Sequence, residues 1–111
     1  MATSYKTLGQ LDLTTTNLTD IYTCPASTET VISTIIIANR ETSADTFRLA
    51  IRTDGDAISN KHYIAYDVPI AANDSTTLTL GITVQATDVV SVKAETADYL
   101  SVNVFGAEVD V

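Results

Sequence analysis

The run from Thr46 to Arg52, TFRLAIR, alternates Phe47, Leu49 and Ile51 with Thr46, Arg48, Ala50 and Arg52. That period of two is the pattern of a strand with one buried face and one wet face. Five or six other segments read the same way, each bounded by Asn, Asp, Gly or Pro. No segment sustains the three-to-four spacing of an amphipathic helix. An all-β chain is therefore expected. Threonine supplies about one residue in six, and β-branched side chains suit a pleated, half-buried surface better than a helix.

Length and charge narrow the possibilities. A chain of 111 residues is long enough for one core and short for two. With 45% hydrophobic and 18% charged residues, it has a globular composition and not a disordered one. The net charge of −8 is spread along both halves and opposes contact with phosphate backbones or anionic lipid, so neither a nucleic acid nor a membrane is expected as a partner. Cys24 is the single cysteine, which rules out an intrachain disulfide. The N-terminus, MATSYKTLGQLDL, has no signal-peptide core, and no run approaches the roughly 18 apolar residues of a membrane span. Synthesis in a cytoplasm without export is the expectation.

Residues 1–19 read as an arm with one short strand at most, dotted by Leu8, Leu11, Leu13 and Leu18. Such leucines in polar surroundings are expected to lie on a surface, either of this domain or of a neighbour. Residues 20–111 then form the folded domain. Asp20–Cys24 is a short strand stopped by Pro25, which belongs at an edge or a strand end. In Thr30–Asn39, TVISTIIIAN, strict alternation places Val31, Ile35 and Ile37 on one face and Ile32, Ile36 and Ala38 on the other, so the second half of this strand is expected to be covered on both sides. Tyr63–Ile70 places Ile64, Tyr66 and Val68 together, and Pro69 again marks an edge. Thr76–Val84 alternates Leu78, Leu80, Ile82 and Val84 against Thr77, Thr79, Gly81 and Thr83, with Gly81 a candidate bulge. Val90 and Val92, then Leu100, Val102 and Val104, mark two last strands. Seven to eight strands spaced by turns predict an antiparallel β-sandwich, immunoglobulin-like, with a jelly roll as the alternative.

Reaction chemistry has little to work with. His62 is the only histidine and reads as a surface or loop residue, and Cys24 beside Pro25 reads as a small buried apolar side chain. Most aspartates sit at expected turns, where their side chains serve the local backbone. Asp67 is the exception because it interrupts a strand. Neither phosphate-cradling glycine loops nor clustered metal ligands are present in the sequence, so no catalytic residue, cofactor or metal is expected. Arg48 and Arg52 share the wet face of one strand, and with Arg40 they form a candidate interface that could meet the acidic face of a neighbouring copy.

Three stretches resemble a known family: DIYTCPASTETVISTIIIANR, NKHYIAYDVPIAANDSTTLTLGITVQATDVVSVKAE and SVNVFGAEV. Small virion structural proteins of tailed phages, especially cyanophages, typically show an L-Y-T-x-P-A opening, a V-x-S-x-I-x-x-x-N strand, an N-K-H-Y-x-x-Y-D-x-P-I segment and a closing F-G-x-E. These match Ile21–Ala26, Val31–Asn39, Asn60–Ile70 and Phe105–Glu108, with Ile21 where leucine is usual and Cys24 where valine is usual. The resemblance covers roughly residues 20–109 and implies a multicopy virion role. The expected function is a capsid decoration or cement protein on the outer shell, bound to the major capsid protein or other virion proteins and assembled as a homo-oligomer, a trimer being favoured. The alternative is a neck, tail or fibre-attachment component, including a carbohydrate-binding module using Tyr63, Tyr66 or Tyr99. Contacts are expected at Leu8, Leu11, Leu13, Arg40, Glu41, Arg48 and Arg52, and removal of the arm is expected to weaken assembly without unfolding the sandwich.

Overall fold

A computed structural model describes residues 2–111 as eight strands in two antiparallel sheets. The strands are β1 (Thr3–Asp12), β2 (Thr19–Thr23), β3 (Thr28–Asn39), β4 (Asp45–Arg52), β5 (Tyr63–Ile70), β6 (Ser75–Gln85), β7 (Val89–Ala94) and β8 (Leu100–Asp110). The first sheet has the order β1-β8-β3-β6 and the second β2-β7-β4-β5. Among the described residues, the only helical elements are two short 3-10 turns, Thr53–Gly55 and Asn60–His62, in the β4–β5 connection.

The path is that of one long hairpin rolled over on itself. Its tip is the β4–β5 pair, and moving outward β3 pairs with β6, β2 with β7 and β1 with β8. Rolling adds the β3–β8 and β4–β7 pairings that knit each sheet together. In an immunoglobulin order the first two strands lie side by side in one sheet. Here β1 and β2 lie in opposite sheets.

The segment read as an arm is largely built in. Residues 3–12 form a ten-residue edge strand that pairs with β8 from Thr3↔Val109 to Asp12↔Ser101. The expected boundary before residue 20 falls inside β2. Leu8 and Leu11 pack on the chain's own core and Leu13 is 1% exposed within it, so these leucines are spent on folding. The strand was obscured in sequence because a register shift at Leu8 breaks its alternation.

Irregularities at one level run across the whole first sheet. Leu8 in β1 and Ser33 in β3 each lack a partner in β8, and Leu80 with Gly81 in β6 face Ser33. Gly81 takes a φ of 61°, as a bulge glycine can. Inserting one residue flips every later side chain to the other face. Hence Ile32, Ile35 and Ile37 are all buried inside, while Val31 is exposed outside and Ile36 only half-buried, contrary to the strict alternation expected. β5 is re-phased likewise: Tyr66 and Asp67 together face Arg48, so Ala65 and Val68 turn inward while Ile64 and Tyr66 are exposed.

Between the sheets lies one core that includes Phe47, Leu49, Val90, Val92, Leu100, Val102 and Val104. These are the inward positions expected for β4, β7 and β8. The two sheets approach most tightly where β1 meets β2. A Cβ on Gly9 would lie 2.5 Å from the Ile21 carbonyl oxygen, so only glycine fits there without moving backbone.

Candidate functional site

The two residues with the clearest nucleophile or base chemistry, Cys24 and His62, are both buried. Cys24 is buried, and its Sγ lies within bonding reach of the Thr28 carbonyl and Thr30 Oγ1 at 3.4 and 3.3 Å. Of the surface or loop position expected for His62, the loop is the one adopted, in the β4–β5 connection, but the side chain is not at the surface. It is 4% exposed because its ring folds under the Asn60–His62 turn, where Nδ1 accepts the Ser59 amide proton at 3.1 Å. Among the described residues no group of three or more His, Cys, Asp or Glu side chains is placed to hold a metal ion. Nor is any helix among them long and apolar enough to cross a membrane.

Each arginine singled out in sequence finds an aspartate of its own chain. Arg40 bridges Asp12 at 2.6 Å and also donates to Ser101 Oγ and the Asp98 carbonyl. Arg52 reaches across β7 to Asp20 at 2.9 Å, donates to Ser91 Oγ, and closes the turn after β4 through the Gly55 and Asp56 carbonyls. Arg48 grips Asp67 with two bonds of 2.7 and 3.2 Å and stacks 3.9 Å over the Tyr66 ring. That bidentate pair holds the Asp67 carboxyl below its usual range and the guanidinium above its own. Asp67 has a φ of 50°, so the strand-interrupting aspartate is the bulge residue that turns its carboxylate toward Arg48. Glu41 is half-buried, its amide bonded to Asn39 Oδ1 and its carbonyl accepting from the Asn73 amide.

The tyrosines do not gather at a loop end. Tyr63 and Tyr66 meet edge to face, with centroids 4.9 Å apart, on the outer face of the second sheet. Tyr99 lies apart, in the connection before β8. Tyr22, which no sequence pattern singled out, joins a partly buried network. Its hydroxyl donates to Glu108 at 2.5 Å and bonds Thr30 at 2.8 Å, while Lys6 bridges Glu108 at 2.6 Å. Burial first, then the Glu108 carboxylate, pushes the Tyr22 hydroxyl well above its ordinary value. Lys6 first, then Tyr22, pulls Glu108 down.

What remains without a partner in the chain is the outer face of the first sheet. Register places Val31 beside Ala107 and Tyr5, Thr34 beside Phe105 and Thr7, and Ile36 beside Asn103 and Gln10 on that face. Tyr5 is 86% exposed and rims a shallow apolar groove of about 360 Å³ floored by Val31, Ala107 and Val109.

Comparison with known proteins bears on the fold. No family model matches the chain, and no curated relative does. A chain in the acid-stable capsid structure of Helicobacter pylori bacteriophage KHP30 superposes with a TM-score of 0.56 at 11% identity, covering 100% of this chain and 95% of that one. A chain in the structure of infectious bursal disease virus strain Gx aligns with a TM-score of 0.36 at 13% identity, over 96% of this chain and 28% of that one. The second likeness is too slight to define a common fold. The first makes the two-sheet sandwich a shared architecture at near-equal length.

Proposed function

We propose that this chain is a non-catalytic structural component of a phage virion, a jelly-roll module that binds the outside of the capsid shell and stabilises it. The observation that carries the reading is the end-to-end likeness to a chain of the KHP30 capsid structure. The nested strand order supports it, since a rolled hairpin of eight strands is how viral capsid jelly rolls are built. The phage-like segments within residues 20–109 point the same way. A protein of this kind binds the assembled shell and not its dissociated subunits, and so stabilises the particle by mass action. Its partners are the major capsid protein and further copies of itself, in threes where the shell offers three-fold sites.

Mass spectrometry of purified particles, followed by a density map of the virion, tests this directly. The expected result is many copies on the outer shell, with particles lacking the protein releasing their genome at a lower temperature. Density confined to the neck, tail or fibres would overturn the decoration role and leave a virion component. Absence from the particle would overturn both.

A further inference from the structure

The outward positions of the first sheet carry almost no charge. Between the row that contains Glu29 and the row that contains Asp12, the facing side chains of β1, β8, β3 and β6 are aliphatic, aromatic, threonine, serine or amide. Asp12 itself is paired with Arg40. The charged side chains of the upper half, Lys6 and Glu108, share the inward side with Thr30. In a chain of net charge −8, such a face needs an explanation that folding does not supply, because solvent alone would accept charges there.

We propose that this face is where a second copy of this chain docks. A basic partner would be drawn to the acidic surfaces, whereas two identical acidic molecules approach at least cost where neither presents charge. The dimensions suffice. Four strands, each about 4.8 Å wide, and about ten residues of about 3.3 Å each give a flat area of roughly 630 Å². A face-to-face pair then buries roughly 1,250 Å², above the roughly 1,000 Å² expected of a specific interface. A protruding Tyr5 and an apolar groove lie side by side on one face, so a symmetric contact lets each copy's ring enter the other's groove. The inference rests on the reading of the chain as an assembling structural protein, and it replaces the arginine and leucine contacts expected from sequence.

Sedimentation velocity on the full-length chain, over a range of concentration and salt, tests the docking. The wild type is expected to self-associate, more tightly as salt rises, since salt screens repulsion between the acidic copies. Val31→Asp and Tyr5→Asp are each expected to weaken association by at least about thirtyfold, the scale of a central contact. Ile64→Asp, on the opposite sheet, is expected to leave it unchanged. Circular dichroism melts identify any variant that has lost its fold, and the highly exposed Tyr5 is the safer of the two positions. A wild type that stays monomeric throughout overturns the proposal, as does association that both variants retain, that loosens with salt, or that Ile64→Asp alone abolishes. Failure here is separable from failure of the virion role: particles that contain the protein despite a monomeric state in solution leave that role standing.

Discussion

The two outer faces of the sandwich are built from opposite materials. Outside the second sheet, Arg48, Arg52, Lys93, Asp20 and Asp67 stand among Tyr63 and Tyr66, and each arginine is locked to an aspartate of another strand, Arg48 to β5 beside it and Arg52 across β7 to β2. Outside the first sheet there are threonines, amides and scattered apolar side chains, with no charge across the middle. The inner faces are alike, since both must close one apolar core. Folding therefore explains the insides and leaves the contrast outside to be explained. The second sheet uses its exterior to tie its own strands together and consumes its charges there. The first sheet, longer in its strands, leaves its exterior available.

The contrast depends on the bulge row that decides which side chains face out, and breaking that row is expected to have the largest effect. Gly106 sits at the row, where an added Cβ would lie 2.1 Å from the Val31 carbonyl oxygen and 3.1 Å from the Ile32 Cα. Backbone cannot yield as a flexible side chain can. Gly106→Val is expected to cost about 3 kcal/mol or more, lowering Tm by about 10 °C or more. A variant melting within about 2 °C of wild type would show that the sheet can slide past the bulge, and the assignment of outward positions would lose its footing.

That row also marks how far the sequence could be read. The all-β class, seven of the eight strands and the inward sets Phe47/Leu49, Val90/Val92 and Leu100/Val102/Val104 follow from alternation alone, because within an unbroken strand side-chain direction is fixed by the pleat. Beyond a bulge the same rule misleads: Ser33 and Asp67 are ordinary polar residues whose extra place in the ladder is set by the partner strands. Only Gly81 advertised its bulge by residue type. β1 looks like an arm in the sequence for the same reason. The ion pairs were illegible for another. Arg40 and Asp12 are 28 residues apart, Arg52 and Asp20 are 32, and which aspartate meets which arginine depends on the order of strands. The uncharged face is likewise spread over four strands and exists only once their register is known.

If the second sheet's charges serve folding, removing one should weaken the fold and spare assembly. Arg52 offers the cleanest case, since its guanidinium bonds Asp20, Ser91 Oγ and two turn carbonyls, with its side chain only 16% exposed. Arg52→Met keeps the aliphatic bulk and leaves these acceptors without their donor. A loss of about 1–3 kcal/mol is expected from charge-assisted bonds of this kind, read as a lower urea midpoint with unchanged sedimentation. An unaltered midpoint with lost association would reverse the roles assigned to the two faces.

The smallest expected effect concerns the charges that the first sheet turns inward. Lys6 and then Tyr22 hold the Glu108 carboxyl below its ordinary range. A carboxylate depressed in the folded state adds stability at pH values above its unfolded pKa, about 4.3, and that contribution is lost as pH falls through the lower folded value. Glu108→Gln removes the charge and keeps the shape, so a loss of about 1 kcal/mol is expected at pH 7. The Tm gap between wild type and variant should be full at neutral pH and close as pH drops below about 4. A gap that persists at pH 3 would mean that Glu108 acts there through packing and not through its charge. In that case the absence of outward charge on this sheet could no longer be linked to an inward pair that uses it, and the two faces would differ by composition alone.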